Sequence, residues 1–172
     1  MIALITGGNG CGKSFYAERL AVSLAGSPLY YIATMRACDD DARARVARHR
    51  AQRAGKGFTT IECPLTLDDI AISPGGVALL ECLPTLLADE MFHGGDPARI
   101  LPGLKRLAAE CAHLIVVAND VFSDGLAYDE YTRDYMARLA ALNAAAAEMA
   151  DLVVEVVYSI PVAVKGVLPC GL

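Results

Sequence analysis

Hydrophobic residues in this chain come in short runs separated by longer stretches of helical periodicity. Apolar, β-prone runs fall at 2–6, 29–34, 58–63, 77–82, 114–119 and 151–158. Helical patterns fill 13–25, 39–54, 98–111 and 131–150, with shorter helical pieces near 66–71 and 84–92. The runs are rich in Val, Ile and Leu and alternate little, as expected of strands buried on both faces of a parallel sheet covered by helices. In the first helical stretch Phe15, Leu20, Val22 and Leu24 fall among Ala17, Ala21 and Ala25 as its apolar positions. Gly26-Ser27-Pro28, Ser73-Pro74-Gly75-Gly76 and His93-Gly94-Gly95-Asp96-Pro97 mark loops. The run at 159–165 predicts a last strand at a sheet edge, where Pro161 is tolerated. The pattern predicts one α/β domain over 1–172 with a doubly wound, mostly parallel sheet.

Composition narrows the class. A chain of 172 residues suits one domain and buries about 70% of its unfolded surface. Apolar residues make up 55% and charged residues 20%. No apolar run approaches the roughly 18 residues that span a bilayer. The chain opens directly on a strand with no visible signal or transit peptide, so the expected location is the cytoplasm. Cysteines at 11, 38, 63, 82, 111 and 170 form no C-x-x-C pair and are expected as free thiols rather than disulfides or zinc ligands. A net charge of −5 argues against a general nucleic-acid binder.

The stretch Gly7-Gly8-Asn9-Gly10-Cys11-Gly12-Lys13-Ser14 fits G-x-x-x-x-G-K-[ST] between a predicted strand and a predicted helix. Glycines let successive backbone N–H groups converge on phosphate oxygens, and the helix N-terminus adds partial positive charge. Lys13 then reaches the terminal phosphates and the Ser14 hydroxyl ligates Mg²⁺. The fold is expected to be P-loop NTPase-like, with a nucleoside triphosphate as ligand.

Ligands of open α/β sheets bind beyond the carboxyl ends of the strands. Glu81 closes the run 77–80, Asn119 and Asp120 follow the run 114–118, and Glu62 ends the run from Phe58. Glu81 and Asp120 each have the chemistry to complete a metal shell or orient a hydroxyl, or simply to cap a loop. Seven of the fifteen Lys and Arg residues lie between Arg36 and Lys56. Within this segment Asp41, Arg45, His49 and Arg53 recur every four residues and share one side of a helix. Val46 is the only large apolar residue there, so the helix has no oily stripe and is expected to present a functional surface or a subunit contact. Guanidinium groups around His49 disfavour imidazolium and leave a neutral, nucleophilic nitrogen. The same arginines can clamp phosphate oxygens. His93 and His113 have no such setting.

In this order the motifs resemble the adenosylcobinamide kinase/adenosylcobinamide-phosphate guanylyltransferase family. The likeness runs through Thr6-Gly7-Gly8 with Gly12-Lys13-Ser14, Tyr31-Ile32-Ala33-Thr34, Asp39-Asp40-Asp41, the Arg45, His49 and Arg53 array, Glu62, Leu80-Glu81-Cys82-Leu83, Asn119-Asp120-Val121, Asn143 and Ala150-Asp151. The resemblance implies ATP- or GTP-dependent phosphorylation of adenosylcobinamide. It also implies transfer of GMP from GTP, through a GMP-histidine at His49, to give adenosylcobinamide-GDP. It places nucleotide contacts at Ala33, Thr34 and Met35, at Arg50, Ala51, Gln52 and Arg53, and at Glu62 and Glu81, with Mg²⁺ at Ser14 and Glu81, and implies a homotrimer. The chain departs from the family at Gly10-Cys11, at Phe58 for Trp, over 122–128, and at Tyr135-Met136-Ala137 for Phe-Arg-Asp. These departures keep open a P-loop kinase for another small hydroxylated acceptor and a nucleotide-binding module without turnover.

Overall fold

The structure, a computed structural model, describes residues 1–24, 28–121 and 125–171. Seven strands form one sheet: β1 (Ile2–Thr6), β2 (Leu29–Ala33), β3 (Phe58–Glu62), β4 (Val77–Glu81), β5 (His113–Val117), β6 (Leu152–Val157) and β7 (Ile160–Lys165). Their order is β3-β2-β4-β5-β1-β6-β7, and every pair is parallel except β6 with β7. Five helices connect them: α1 (Lys13–Ser23), α2 (Asp40–Arg53), α3 (Leu83–Phe92), α4 (Ile100–Glu110) and α5 (Glu130–Met149). The expected helical piece near 66–71 is a single 3-10 turn at Leu67–Asp69. Of the expected loops and helix ends, Ala25, Gly26, Ser27 and Phe122-Ser123-Asp124 lie outside the described residues.

The runs that form β1, β4 and β5 are covered on both faces, as the pattern implies, whereas β3, at one edge of the sheet, has no buried residue. Successive side chains of a strand point to opposite sides. Ala3 and Ile5, Val77 and Leu79, and Ile115 and Val117 therefore pack on the α1 side. Leu4, Ala78, Leu80, Leu114 and Val116 pack on the side of α3, α4 and α5. All of these positions are buried.

The apolar face of α1 differs from the expected one. Phe15 and Val22 are exposed, and the buried face is Tyr16, Ala17, Leu20 and Ala21. At about 100° per residue these four lie together. Their alanines let the helix approach the sheet, and Phe15 is turned toward the strand ends. The last two strands form a tight hairpin whose two linking residues, Tyr158 and Ser159, have φ of 49° and 66°. Positive φ at both central positions is the geometry that matches strand twist in a two-residue hairpin.

Candidate active site

At the carboxyl end of the sheet, the loop after β1, residues of α1, α2 and α3 and the ends of β2, β3, β4 and β5 build one cleft of about 530 Å³. Its floor is the loop between β1 and α1. Gly7 has φ +140°, and a Cβ there would lie 2.4 Å from the Val156 carbonyl oxygen. Gly12 has φ +96°, and a Cβ there would lie 2.8 Å from Ser159 Oγ. The hairpin turn thus presses on the loop from behind, and the Ser159 N–H donates to the Cys11 carbonyl at 2.8 Å. Glycine is favoured at both positions by conformation, and at Gly7 also by space, since the Val156 oxygen is backbone.

Lys13 is 7% exposed, and its Nζ donates to the Gly8 carbonyl at 2.7 Å, at the head of the loop. The Ser14 hydroxyl donates to Glu81 Oε1. β4 lies beside β2 and β5 in a register that aligns Glu81 with Ala33 and Val117, so the carboxylate sits at the rim directly facing α1. Burial pushes the Glu81 carboxyl up to about 7; the Ser14 hydrogen bond opposes this, Glu18 adds to it, and Lys13 and Arg53 oppose it. Its second oxygen, Oε2, is buried and unpartnered among the described residues. A desolvated carboxylate oxygen beside a phosphate-loop serine hydroxyl fits Mg²⁺, which takes one or two protein oxygens and completes its shell with phosphate and water. Among the described residues no group of three or more His, Cys, Asp or Glu side chains is arranged to hold a metal ion.

The wall opposite the loop is α2. Asp39 caps it, accepting from the Ala42 N–H at 2.7 Å, and Asp40 and Asp41 in its first turn and Arg50 and Arg53 in its last complement the helix dipole. Among its fourteen residues only Arg53 is buried. That guanidinium lies 4.1 Å from the Tyr31 ring centroid, and its Nε donates to Thr60 Oγ1 at 3.2 Å. Arg45, His49 and Arg53 face the cleft together with Arg48 and Gln52. Burial lowers the His49 pKa, and Arg48, Arg53 and Arg45 lower it further. Its Nδ1 is buried without a hydrogen-bond partner among the described residues. The imidazole is therefore neutral at neutral pH, and it shares a cleft with Lys13.

Of the residues expected to bind nucleotide, Asn9, Gly10, Cys11, Gly12, Lys13 and Ser14 line the cleft, as do Ala33, Met35, Gln52, Arg53, Glu62 and Glu81. Gly7, Gly8, Thr34, Arg50 and Ala51 are not among its walls. Thr34 is fully buried, its Oγ1 donating to the Cys82 carbonyl at 2.9 Å and accepting from the Cys82 N–H at 2.7 Å. This hydroxyl ties β2 to the end of β4 rather than facing a ligand. Arg50 is exposed and pairs at 2.9 Å with Glu62, which itself lines the cleft. Asn119 lines the cleft, whereas Asp120 is exposed. His93 pairs with Asp89 at 2.8 Å, and His113 Nδ1 lies 3.2 Å from the chain's N-terminal amine.

Phe15 and Tyr31 escaped the sequence reading as cleft residues. Phe15 is 51% exposed on the rim, with Lys56 Nζ 5.4 Å and Arg19 Cζ 5.8 Å from its ring. Its position directly after Ser14, on the polar side of the α1 periodicity, was the available signal. Two residues that carried the resemblance lie outside the cleft and make structural hydrogen bonds: Asp151 Oδ2 accepts from the Ile2 N–H at 2.8 Å, and Asn143 Nδ2 donates to the Asn119 carbonyl at 3.4 Å. At the altered signature, the Tyr135 hydroxyl donates to the Pro84 carbonyl at 3.2 Å and joins α5 to α3. The six cysteines are free thiols.

The chain is 34% identical over 171 residues to the bifunctional adenosylcobalamin biosynthesis protein CobP of Pseudomonas aeruginosa, covering 95% of this chain and 96% of that protein. It is 30% identical over 185 residues to the corresponding CobU of Salmonella typhimurium, covering 96% of this chain and all of that protein. In fold it is similar to the flagellar accessory protein FlaH of Methanocaldococcus jannaschii, with a TM-score of 0.54 at 11% identity over 96% of this chain and 78% of that one. The family described as cobinamide kinase / cobinamide phosphate guanyltransferase matches residues 3–164, and the chain belongs to it.

Proposed function

We propose that the protein phosphorylates the aminopropanol hydroxyl of adenosylcobinamide with ATP or GTP, then transfers GMP from GTP through His49 to give adenosylcobinamide-GDP. The observation that carries this reading is the single cleft: Lys13 at the phosphate loop and a neutral His49 on α2 line it together. In the kinase step the acceptor oxygen attacks the γ-phosphorus and the nucleoside diphosphate leaves. The loop N–H groups and Lys13 hold the phosphates. Ser14 and Glu81 are the residues that would hold Mg²⁺, which when bound neutralises charge on the phosphate oxygens. In the guanylyl step an imidazole nitrogen attacks the α-phosphorus, the bond to the β-phosphate oxygen breaks, and pyrophosphate leaves. We assign the attack to Nε2, because Nδ1 is the buried nitrogen. A phosphate oxygen of the phosphorylated acceptor then displaces His49 and regenerates the free imidazole. Covalent catalysis divides one hard transfer into two easier ones and gives ping-pong kinetics. Burial, with Arg48, Arg53 and Arg45 beside it, keeps the imidazole neutral, and the same arginines bind the phosphate charge. By the same resemblance the protein is a cytoplasmic homotrimer, a state that sedimentation checks.

The test is GTP labelled at the α-phosphate. Wild type is expected to take up acid-labile, base-stable label, and His49→Ala none, while both still transfer the γ-phosphate. Wild type free of label but active as a kinase would remove guanylyl transfer from the reading and leave a kinase alone.

A further inference from the structure

The helix that carries His49 is joined to the helix that carries Ser14 through one carboxylate. Glu18 on α1 is 0% exposed. Its Oε1 accepts from Gln52 Nε2 at 2.9 Å, and its Oε2 accepts from Lys56 Nζ at 2.5 Å. Gln52 lies on the last turn of α2, three residues after His49, and Lys56 lies in the turn that follows. Ser14 and Glu18 are four residues apart on α1 and share a face, about 6 Å along its axis. That face holds Glu81 through Ser14 and grips α2 through Glu18.

The grip matters because α2 has little else to seat it. A helix burying one residue in fourteen has no apolar stripe to set its rotation or height. Its ties to the body cluster in the last turn: Arg53 on Tyr31 and Thr60, the exposed Arg50–Glu62 pair, and Gln52 on Glu18. An exposed ion pair contributes little. The bonds of the first turn are local, Asp39 to Ala42 and Asp40 to Arg43. A buried ion pair is a poor source of stability, since apolar side chains of equal volume hold as well. What it adds is direction: two defined donors on one carboxylate allow one placement of the helix end.

We propose that Glu18 is a positioning residue: by holding Gln52 and Lys56 it sets His49 against the phosphate loop, so that guanylyl transfer depends on it and γ-phosphoryl transfer does not. This rests on the reading of His49 above, and the experiment therefore has an arm that needs no chemistry. Amide hydrogen exchange is followed in nucleotide-free wild type, Glu18→Ala, Glu18→Gln and Lys56→Met, alongside α-label uptake from GTP and γ-transfer from ATP. In Glu18→Ala, amides of 40–53 are expected to exchange at least about tenfold faster, while β1, β4 and β5 keep wild-type rates. Label uptake slows by at least about tenfold, as for a small misplacement of a reacting group, and γ-transfer stays within about threefold. Glu18→Gln keeps the shape but offers one acceptor oxygen where Gln52 Nε2 and Lys56 Nζ need two, so it holds only one donor and falls between wild type and Glu18→Ala. Lys56→Met, at a side chain only 26% exposed, gives the same pattern more weakly and serves if Glu18→Ala does not fold. Unchanged exchange over 40–53, or faster exchange everywhere with both activities falling together, overturns the proposal. Absence of label on wild type removes the His49 chemistry, and the exchange arm still decides the clamp.

Discussion

Glu81 is kept at the rim of the cleft in a setting that opposes its own ionisation. Its carboxyl is raised from an ordinary 4.5 to about 7, chiefly by burial. Between these values the folded state holds a proton that the unfolded state has lost, so stability falls as pH rises through that window. The contribution is absent below pH 4.5, where both states are protonated, and complete above 7. Glu81→Gln keeps the shape without the charge. Its unfolding free energy, measured by urea titration from pH 4 to 8, is expected to lack a decline on the order of 2–4 kcal/mol that wild type shows. Both reactions are expected to slow sharply in the same variant. An identical pH dependence in the two proteins, or normal rates at low Mg²⁺, would defeat this account. Lys13, Ser14 and Glu81 were legible as residues because each stands at a fixed offset from a strand end. Glu18 was not, since an acid one turn into a helix reads as surface until its partners are seen.

Among the elements, the phosphate loop and α2 make opposite demands on the chain. The loop is determined by steric limits. At Gly7 a methyl group would meet the backbone oxygen of Val156 in β6, which cannot turn aside, at a φ that side chains rarely adopt. Gly7→Ala is expected to cost about 1–3 kcal/mol of stability and to abolish nucleotide binding, as thermal melts and calorimetric titration would show. Near-wild-type binding would mean that the strand gives way. For α2 the local signals were sufficient to place it: Asp39 to Asp41 open it, basic residues close it, and its pattern of charged and small residues predicts an exposed helix. Its wall of the cleft was not legible. Four-residue spacing puts Arg45, His49 and Arg53 on one side, but it is the contacts of Arg53 with Tyr31 and Thr60 and the Glu18 bonds that turn that side toward the cleft. Arg50 and Ala51 fall off the cleft for the same reason, the helix being rotated so that Gln52 and Arg53 face inward.

Over the whole molecule, the cleft exists because β1 lies between β5 and β6 while β2 lies on the far side of β5 and β4. That order brings the ends of β1, β2, β4 and β5 to one rim. A ligand bound across so many elements stabilises all of them together. Mg²⁺-GTP at about 100 times its Kd is expected to add about 2.7 kcal/mol to the unfolding free energy. Lys13→Ala, losing a buried partner of the phosphates worth about 2–5 kcal/mol, is expected to show almost no such shift at the same concentration. An equal rise in Tm in both proteins would place the nucleotide elsewhere. The strands, the five α-helices and their approximate limits, the phosphate loop and the charge of α2 followed from the sequence by itself, because each depends on periodicity or spacing within a few residues; the piece near 66–71, a 3-10 turn, did not. Strand order, the rotation of α1 that exposes Phe15, and the placing of His49 and Lys13 in one cleft were decided only in the tertiary structure. Those depend on contacts between residues far apart in the chain, where side-chain shape and a single buried carboxylate choose among placements that local pattern leaves equivalent.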